Sequence, residues 1–179
     1  MNTIFCTLKK DFKIVRIKLS QKKNIIIGIG GSGPTVKWSI ENWITLIDYL
    51  NKNFAANFII AGGKNEEVEF NFIKEKLKID NIFSLCNLNI RQAIVGMSFG
   101  KFFIGNDSGM HHLAASIGIH TLVLIGSTPL NYTKYSTFMN QIIPDDYQDI
   151  GHSSNAMKNI STNNVIKKIE NINLIKKLF

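Results

Sequence analysis

A chain of 179 residues is long enough for one domain with a substantial core. Its 45% hydrophobic and 19% charged residues exclude a disordered or fibrous chain, and its apolar runs are too short to cross a bilayer as helices. The formal net charge of +8 suits anionic partners, although much of the excess lies at the two ends of the chain.

Residues 1–23 alternate weakly and read as an edge strand or connecting segment, with Lys9, Lys10, Asp11, Lys13, Arg16 and Lys18 interrupting the continuous apolar core that a secretion signal needs. A cytoplasmic location is the expectation. Ile25, Ile26 and Ile27 then form an uninterrupted apolar strand of the kind buried on both faces of a parallel sheet. A glycine-rich loop, 28–34, follows. Ser39 opens a helix with Ile40, Trp43, Ile44, Ile47 and Leu50 on one face. Residues 57–61 are the second strand, and after Gly62 and Gly63 the residues Val68, Phe72, Ile73 and Leu77 predict an amphipathic helix. Residues 82–85 form a third strand, Asn89 caps a helix over 90–99, and 101–105 form the fourth strand. A helix over 108–117 precedes the fifth strand, 121–125. Residues 141–143 suggest a sixth strand, the Asn-rich stretch 131–164 reads as a long surface connection, and Ser161 or Thr162 caps a last helix whose apolar face is Val165, Ile166 and Ile169.

Such regular alternation implies an α/β fold, a Rossmann-like, doubly wound parallel sheet whose ligand lies at the carboxyl ends of the strands. Three loops leave those ends with unusual chemistry. The sequence Asn106-Asp107-Ser108-Gly109-Met110-His111-His112 runs from a strand end into a helix, placing Asp107 and Ser108 at the N-cap and Gly109 where a ligand can approach free backbone N–H groups; such an end attracts phosphate. Gly31, Ser32, Thr35 and Lys37 form a loop suited to a diphosphate. Glu66 and Glu67 follow a Gly-Gly turn, where a helix dipole favours acids and where one of them could accept hydrogen bonds from ribose hydroxyls.

Other motifs are weaker. Residues 28–33 match G-x-G-x-x-G, but five residues intervene before the helix and no acid ends the second strand, which argues against a dinucleotide site. Pro34 and Thr35 stand where a Walker loop needs lysine and a hydroxyl residue. Asp107, His111 and His112 allow a zinc site on paper, yet adjacent histidines on a helix are expected to diverge, and no metal is assigned. Asp107-Ser108-Gly109 lacks the preceding glycine of a nucleophile elbow. Cys6 and Cys86 have no metal-ligand spacing and read as reduced thiols.

Together the motifs resemble the heptosyltransferase family, glycosyltransferase family nine. Residues 106–115 resemble its donor-site signature, with His112 as the matching histidine; Gly31 to Trp38 resembles the loop of its diphosphate-binding lysine, here Lys37; and Gly62-Gly63-Lys64-Asn65-Glu66 is similar to the segment whose glutamate holds ribose. Gly126-Ser127-Thr128-Pro129 looks like its Gly-Pro-Thr loop, with Ser127 in place of proline, and residues 157–169 resemble its closing helix. The resemblance implies the C-terminal, donor-binding half of a two-domain GT-B enzyme, covering residues 24–179, with the N-terminal domain and its catalytic base outside this sequence. It further implies inverting, metal-independent transfer of heptose from an ADP-sugar to lipopolysaccharide core. No cofactor and no nucleic acid are expected, and peripheral contact with the inner membrane is. The donor-binding set is then Gly31, Ser32, Thr35, Lys37, Glu66, Asp107, Ser108, Gly109 and His112. A module that holds a nucleotide or nucleotide sugar without turning it over is the other reading.

Overall fold

The computed structural model describes residues 23–126, 128–144 and 156–172. The segment 1–22 with Cys6, and Ser127 of the Gly-Ser-Thr-Pro loop, lie outside the described residues. The strands are β1 (Lys23–Gly28), β2 (Ala56–Ala61), β3 (Ile82–Ser84), β4 (Phe102–Asn106), β5 (His120–Leu124) and β6 (Met139–Ile142), all parallel, in the order β3-β2-β1-β4-β5-β6. The helices are α1 (Ile40–Asn53), α2 (Glu67–Leu77), α3 (Ile90–Met97), α4 (Gly109–Ser116) and α5 (Thr162–Asn171).

Successive side chains of a strand point to opposite faces, so the apolar runs of β1, β2, β4 and β5 demand cover on both sides. Ile25, Ile27, Phe58, Ile60, Phe102, Ile104, Leu122 and Leu124 pack with residues of α1, α2 and α5. Ile26, Ile59 and Phe103, one residue out of phase, pack with Ala93 and Met97 of α3 and Ala114 of α4. Fully burying one such side chain stabilises by about 1.5–3 kcal/mol, so this alternation is the main term holding the layers together. Local signals set the helix starts: Ser39 Oγ accepts from the Asn42 N–H (3.2 Å), Ser161 Oγ from the Asn164 N–H (3.1 Å), and Asn89 and Gln92 bond reciprocally at 3.1 Å. Where β1 and β4 meet, Gly28 pairs in register with Gly105 and the Phe103 ring lies across both; a Cβ on Gly28 would stand 2.3 Å from that ring.

Two expectations need correction. The buried face of α2 is Phe70 and Ile73, with Leu77 packed at its edge, whereas Val68 and Phe72 are exposed. The buried Glu66, just before the helix, lies on the same face, since 66, 70, 73 and 77 align at helical spacing. The Asn-rich stretch is also not all surface: Thr133, Met157 and Ile160 are buried, and the Ile160 carbonyl accepts from the Trp38 indole N–H at 2.7 Å.

Candidate functional site

In this strand order the crossovers run outward to one side from β1 and to the other from β4, which leaves a crevice at the carboxyl ends of these two strands. An open cavity of about 780 Å³ lies there. The loop after β1 contributes Gly30, Gly31, Ser32 and Val36, and the turn after β2 contributes Gly62, Gly63 and Glu66. The start of α4 adds Asp107, Ser108, Gly109, Met110, His112 and Leu113. Leu88, Ile90 and Ala93 close the side next to α3, and Thr128 and Tyr132 close the side beyond β5.

Asn106, the last residue of β4, holds the glycine loop in place. It is fully buried; its Oδ1 accepts from the Trp38 N–H at 3.0 Å, and its Nδ2 donates to the Ile29 carbonyl at 2.8 Å. The loop is thereby gripped at both ends by the strand that delivers Asp107 and Ser108.

At the start of α4 the N–H groups of Gly109 and Met110 have no intrahelical acceptor. A Cβ on Gly109 would touch nothing within 4 Å, so its bareness keeps space open above the helix rather than serving the packing. Ser108 occupies the N-cap, but its hydroxyl makes no capping bond and is buried without a partner. His111 caps instead: its Nδ1 accepts from the Ser108 N–H at 3.1 Å. That bond requires an unprotonated Nδ1, and burial, helped by neighbouring His112, pushes the His111 imidazole down to about 4. The contact of Asp107 Oδ1 with His111 Nδ1, at 3.6 Å, is therefore no ion pair at neutral pH.

The second charged group joins two loops. Lys37 Nζ donates to Glu66 Oε1 (2.8 Å) and Glu69 Oε1 (3.0 Å), and Glu66 Oε2 accepts from the Gly63 N–H (2.7 Å). Burial alone would lower the Lys37 ammonium, but the two carboxylates outweigh it and hold the group above its ordinary value, hence charged. A Cβ on Gly62 would come within 2.8 Å of Glu66 Cβ, so glycine there lets the carboxylate fold back into the cavity wall. Glu67 turns elsewhere, accepting from Ser84 Oγ at 2.6 Å, which separates the roles of the two adjacent acids.

Of the residues singled out in the sequence, Gly31, Ser32, Glu66, Asp107, Ser108, Gly109 and His112 line the cavity. Thr35 lies in the 3-10 turn Pro34–Val36, and Lys37 stands behind Glu66; neither is part of the lining. The expectation that the adjacent histidines diverge does not hold. Their ring centroids lie 3.8 Å apart, and ligand-type atoms of Asp107, His111 and His112 fall within 4.8 Å of one another. However, Nδ1 of His111 is already engaged by Ser108, and Nδ1 of His112 by the Tyr135 hydroxyl. The apolar wall of Leu88, Ile90, Ala93, Met110 and Leu113 was missed, because Leu88 reads as a loop residue and the others as ordinary helical faces. The available signal was apolar residues in the connection after β3 and in the first helical turns after β3 and β4, on the strand-carboxyl side.

The sequence model of glycosyltransferase family 9 (heptosyltransferase) matches residues 6–169. The chain belongs to this family. Among relatives of this family 9 chain, lipopolysaccharide heptosyltransferase 1 of Campylobacter coli is 28% identical over 163 residues, covering 88% of this chain and 47% of the relative. A family 9 glycosyltransferase from Veillonella parvula superposes with a TM-score of 0.78 at 19% identity, over 99% of this chain and 53% of that one. A heptosyltransferase of E. coli solved with ADP superposes with a TM-score of 0.69 at 17% identity, over 83% and 44%. The chain spans about half the length of the curated relatives it matches. These structural likenesses establish the Rossmann-like fold of GT-B glycosyltransferases for this family 9 chain.

Proposed function

We propose that this chain supplies the donor-binding half of an inverting glycosyltransferase that takes heptose, or a related sugar, from an ADP-sugar and delivers it to a lipopolysaccharide core acceptor. One observation carries the reading: the open N-terminus of α4 and the Glu66 carboxylate face a single cavity at the switch point of the sheet. The helix end with Ser108 and Gly109 holds the diphosphate and stabilises it as a leaving group, the electrostatic part of the catalysis. Glu66 accepts hydrogen bonds from ribose hydroxyls. The apolar wall of Met110, Leu113 and Ile90 receives the face of the base. Lys37, now shared between Glu66 and Glu69, reaches the diphosphate by giving up one of those partners. Family membership, and the ADP named for the E. coli relative, support the choice of nucleotide. The reading puts the enzyme at the cytoplasmic face of the inner membrane, and it requires an N-terminal domain carrying the base.

Calorimetry with ADP in the presence of a chelator is the test. Binding is expected without metal, and Lys37→Ala and Glu66→Gln are each expected to weaken it by about 1–3 kcal/mol, the range for one charge-assisted hydrogen bond, with the melting transition retained. Binding that needs magnesium, or wild-type affinity in both variants, would overturn this account of the site.

A further inference from the structure

His112 lines the cavity, and its Nδ1 makes a hydrogen bond with the Tyr135 hydroxyl. The two rings also stack, with centroids 5.7 Å apart and planes 20° from parallel. Tyr135 is 62% exposed, so core packing does not explain its place over the histidine. The turn just before it is held. The preceding 3-10 turn, Leu130–Thr133, is tied to β6 by Gln141, whose Nε2 donates to the Leu130 carbonyl at 3.0 Å and to Thr133 Oγ1. Tyr132 of the same turn reaches the cavity.

A neutral imidazole donates from one nitrogen and accepts at the other, and which nitrogen carries the proton is set by the partner of its fellow. An anion needs a donor. We propose that Tyr135 is a positioning residue for His112, its hydroxyl donating to Nδ1 and so fixing Nε2–H as the group His112 offers to a phosphoryl oxygen of the bound nucleotide. This rests on the donor-site reading above. A phenol suits the task because it is both donor and acceptor: toward neutral His112 it donates to Nδ1, and should His112 take up a proton it accepts from Nδ1–H. Nε2 carries a proton in either state. A residue that only accepted hydrogen bonds would select the opposite tautomer and turn a lone pair toward the phosphate.

The experiment uses Tyr135→Phe, which keeps the stacked ring and removes the hydroxyl. Nitrogen-15 NMR of the imidazoles, with the His112 signals assigned by His112→Gln, reads the tautomer without any ligand. The unaltered chain is expected to hold His112 in the Nε2–H form at pH 8, and Tyr135→Phe to shift it toward a mixture of tautomers. Calorimetry with ADP is expected to show about 3- to 10-fold weaker binding in Tyr135→Phe, the size of one lost hydrogen bond, and no further loss when the same change is made in His112→Gln. An unchanged tautomer, or an equal loss whichever residue stands at 112, would overturn the proposal. Absence of ADP binding by the unaltered chain overturns the donor-site reading instead, and the ligand-free spectrum tells that failure from the first.

Discussion

His111 shows how one buried side chain can serve a site without touching a ligand. It has no solvent exposure, caps α4 through Nδ1, and is held neutral by burial. A histidine ordinarily titrates near 6.5, and this one near 4. Between those values the unfolded chain binds a proton that the folded chain refuses, so stability rises with pH across the window and its contribution is level above it. The unfolding free energy from denaturant titrations is therefore expected to fall as pH drops from 7 toward 4, by up to about 3 kcal/mol at the linkage limit of about 1.4 kcal/mol per pH unit. Asp107 and His112 are the ionisable neighbours that face the same ring. His111→Gln keeps an acceptor for Ser108 and removes the charge, so it should flatten this part of the profile. An undiminished slope in that variant would assign the effect to other groups. At this scale the sequence was half legible. Resemblance pointed to His112, but nothing in the residue order separates a histidine that lines a cavity from one that caps the helix beneath it.

Among the elements, the loop between β1 and α1 depends most on a distant residue. Its glycines offer no side chains to hold it, and Trp38 is its one large anchor, buried against Trp43 with ring centroids 4.8 Å apart. Asn106 completes the hold by pairing two backbone groups that would otherwise be stranded. Asn106→Leu leaves the Trp38 N–H and the Ile29 carbonyl without partners and is expected to cost about 2–4 kcal/mol. Because the loop forms a cavity wall, ADP affinity should fall as well. Urea unfolding and calorimetry check both, and an unchanged unfolding midpoint would show that the loop holds itself. The element boundaries were largely readable from caps and apolar runs. The phase of α2 was not, since Val68 and Phe72 are as apolar as the residues that are buried, and only the packing of Phe70 and Ile73 into the core tells the two faces apart.

For the whole molecule, the cavity opens at the carboxyl edge of a single sheet, and among the described residues its lining comes from the loops and helix starts at that edge. Among the described residues its lining carboxylates are Glu66, held by Lys37 and Gly63, and Asp107, beside the helix end that the proposed function gives to the leaving diphosphate. Deprotonating an acceptor hydroxyl takes a base on the opposite side, within hydrogen-bond reach of that hydroxyl. Under the proposed function, residues 1–179 alone should bind donor but transfer no sugar, and should gain activity when an N-terminal domain bearing an acidic base is supplied. Incubation with ADP-heptose and a heptose-deficient lipopolysaccharide, read by mass spectrometry, decides. Robust transfer by this chain alone, lost in Asp107→Asn with binding intact, would make Asp107 the base.

The sequence by itself determined the layer architecture. Apolar runs too short for helices and alternating with amphipathic segments have few solutions other than a parallel sheet covered on both faces, and the carboxyl edge of parallel strands is where its ligand belongs. It also marked the three loops that come to line the cavity, because glycine, serine and acids at strand ends are local features. Only the tertiary structure decided which side chains meet. Lys37 with Glu66 and Glu69, Asn106 with Trp38, and Tyr135 with His112 are pairs brought together by crossovers between strands. Such contacts depend on helix phase and loop path, which packing against the sheet sets and residue spacing along the chain does not.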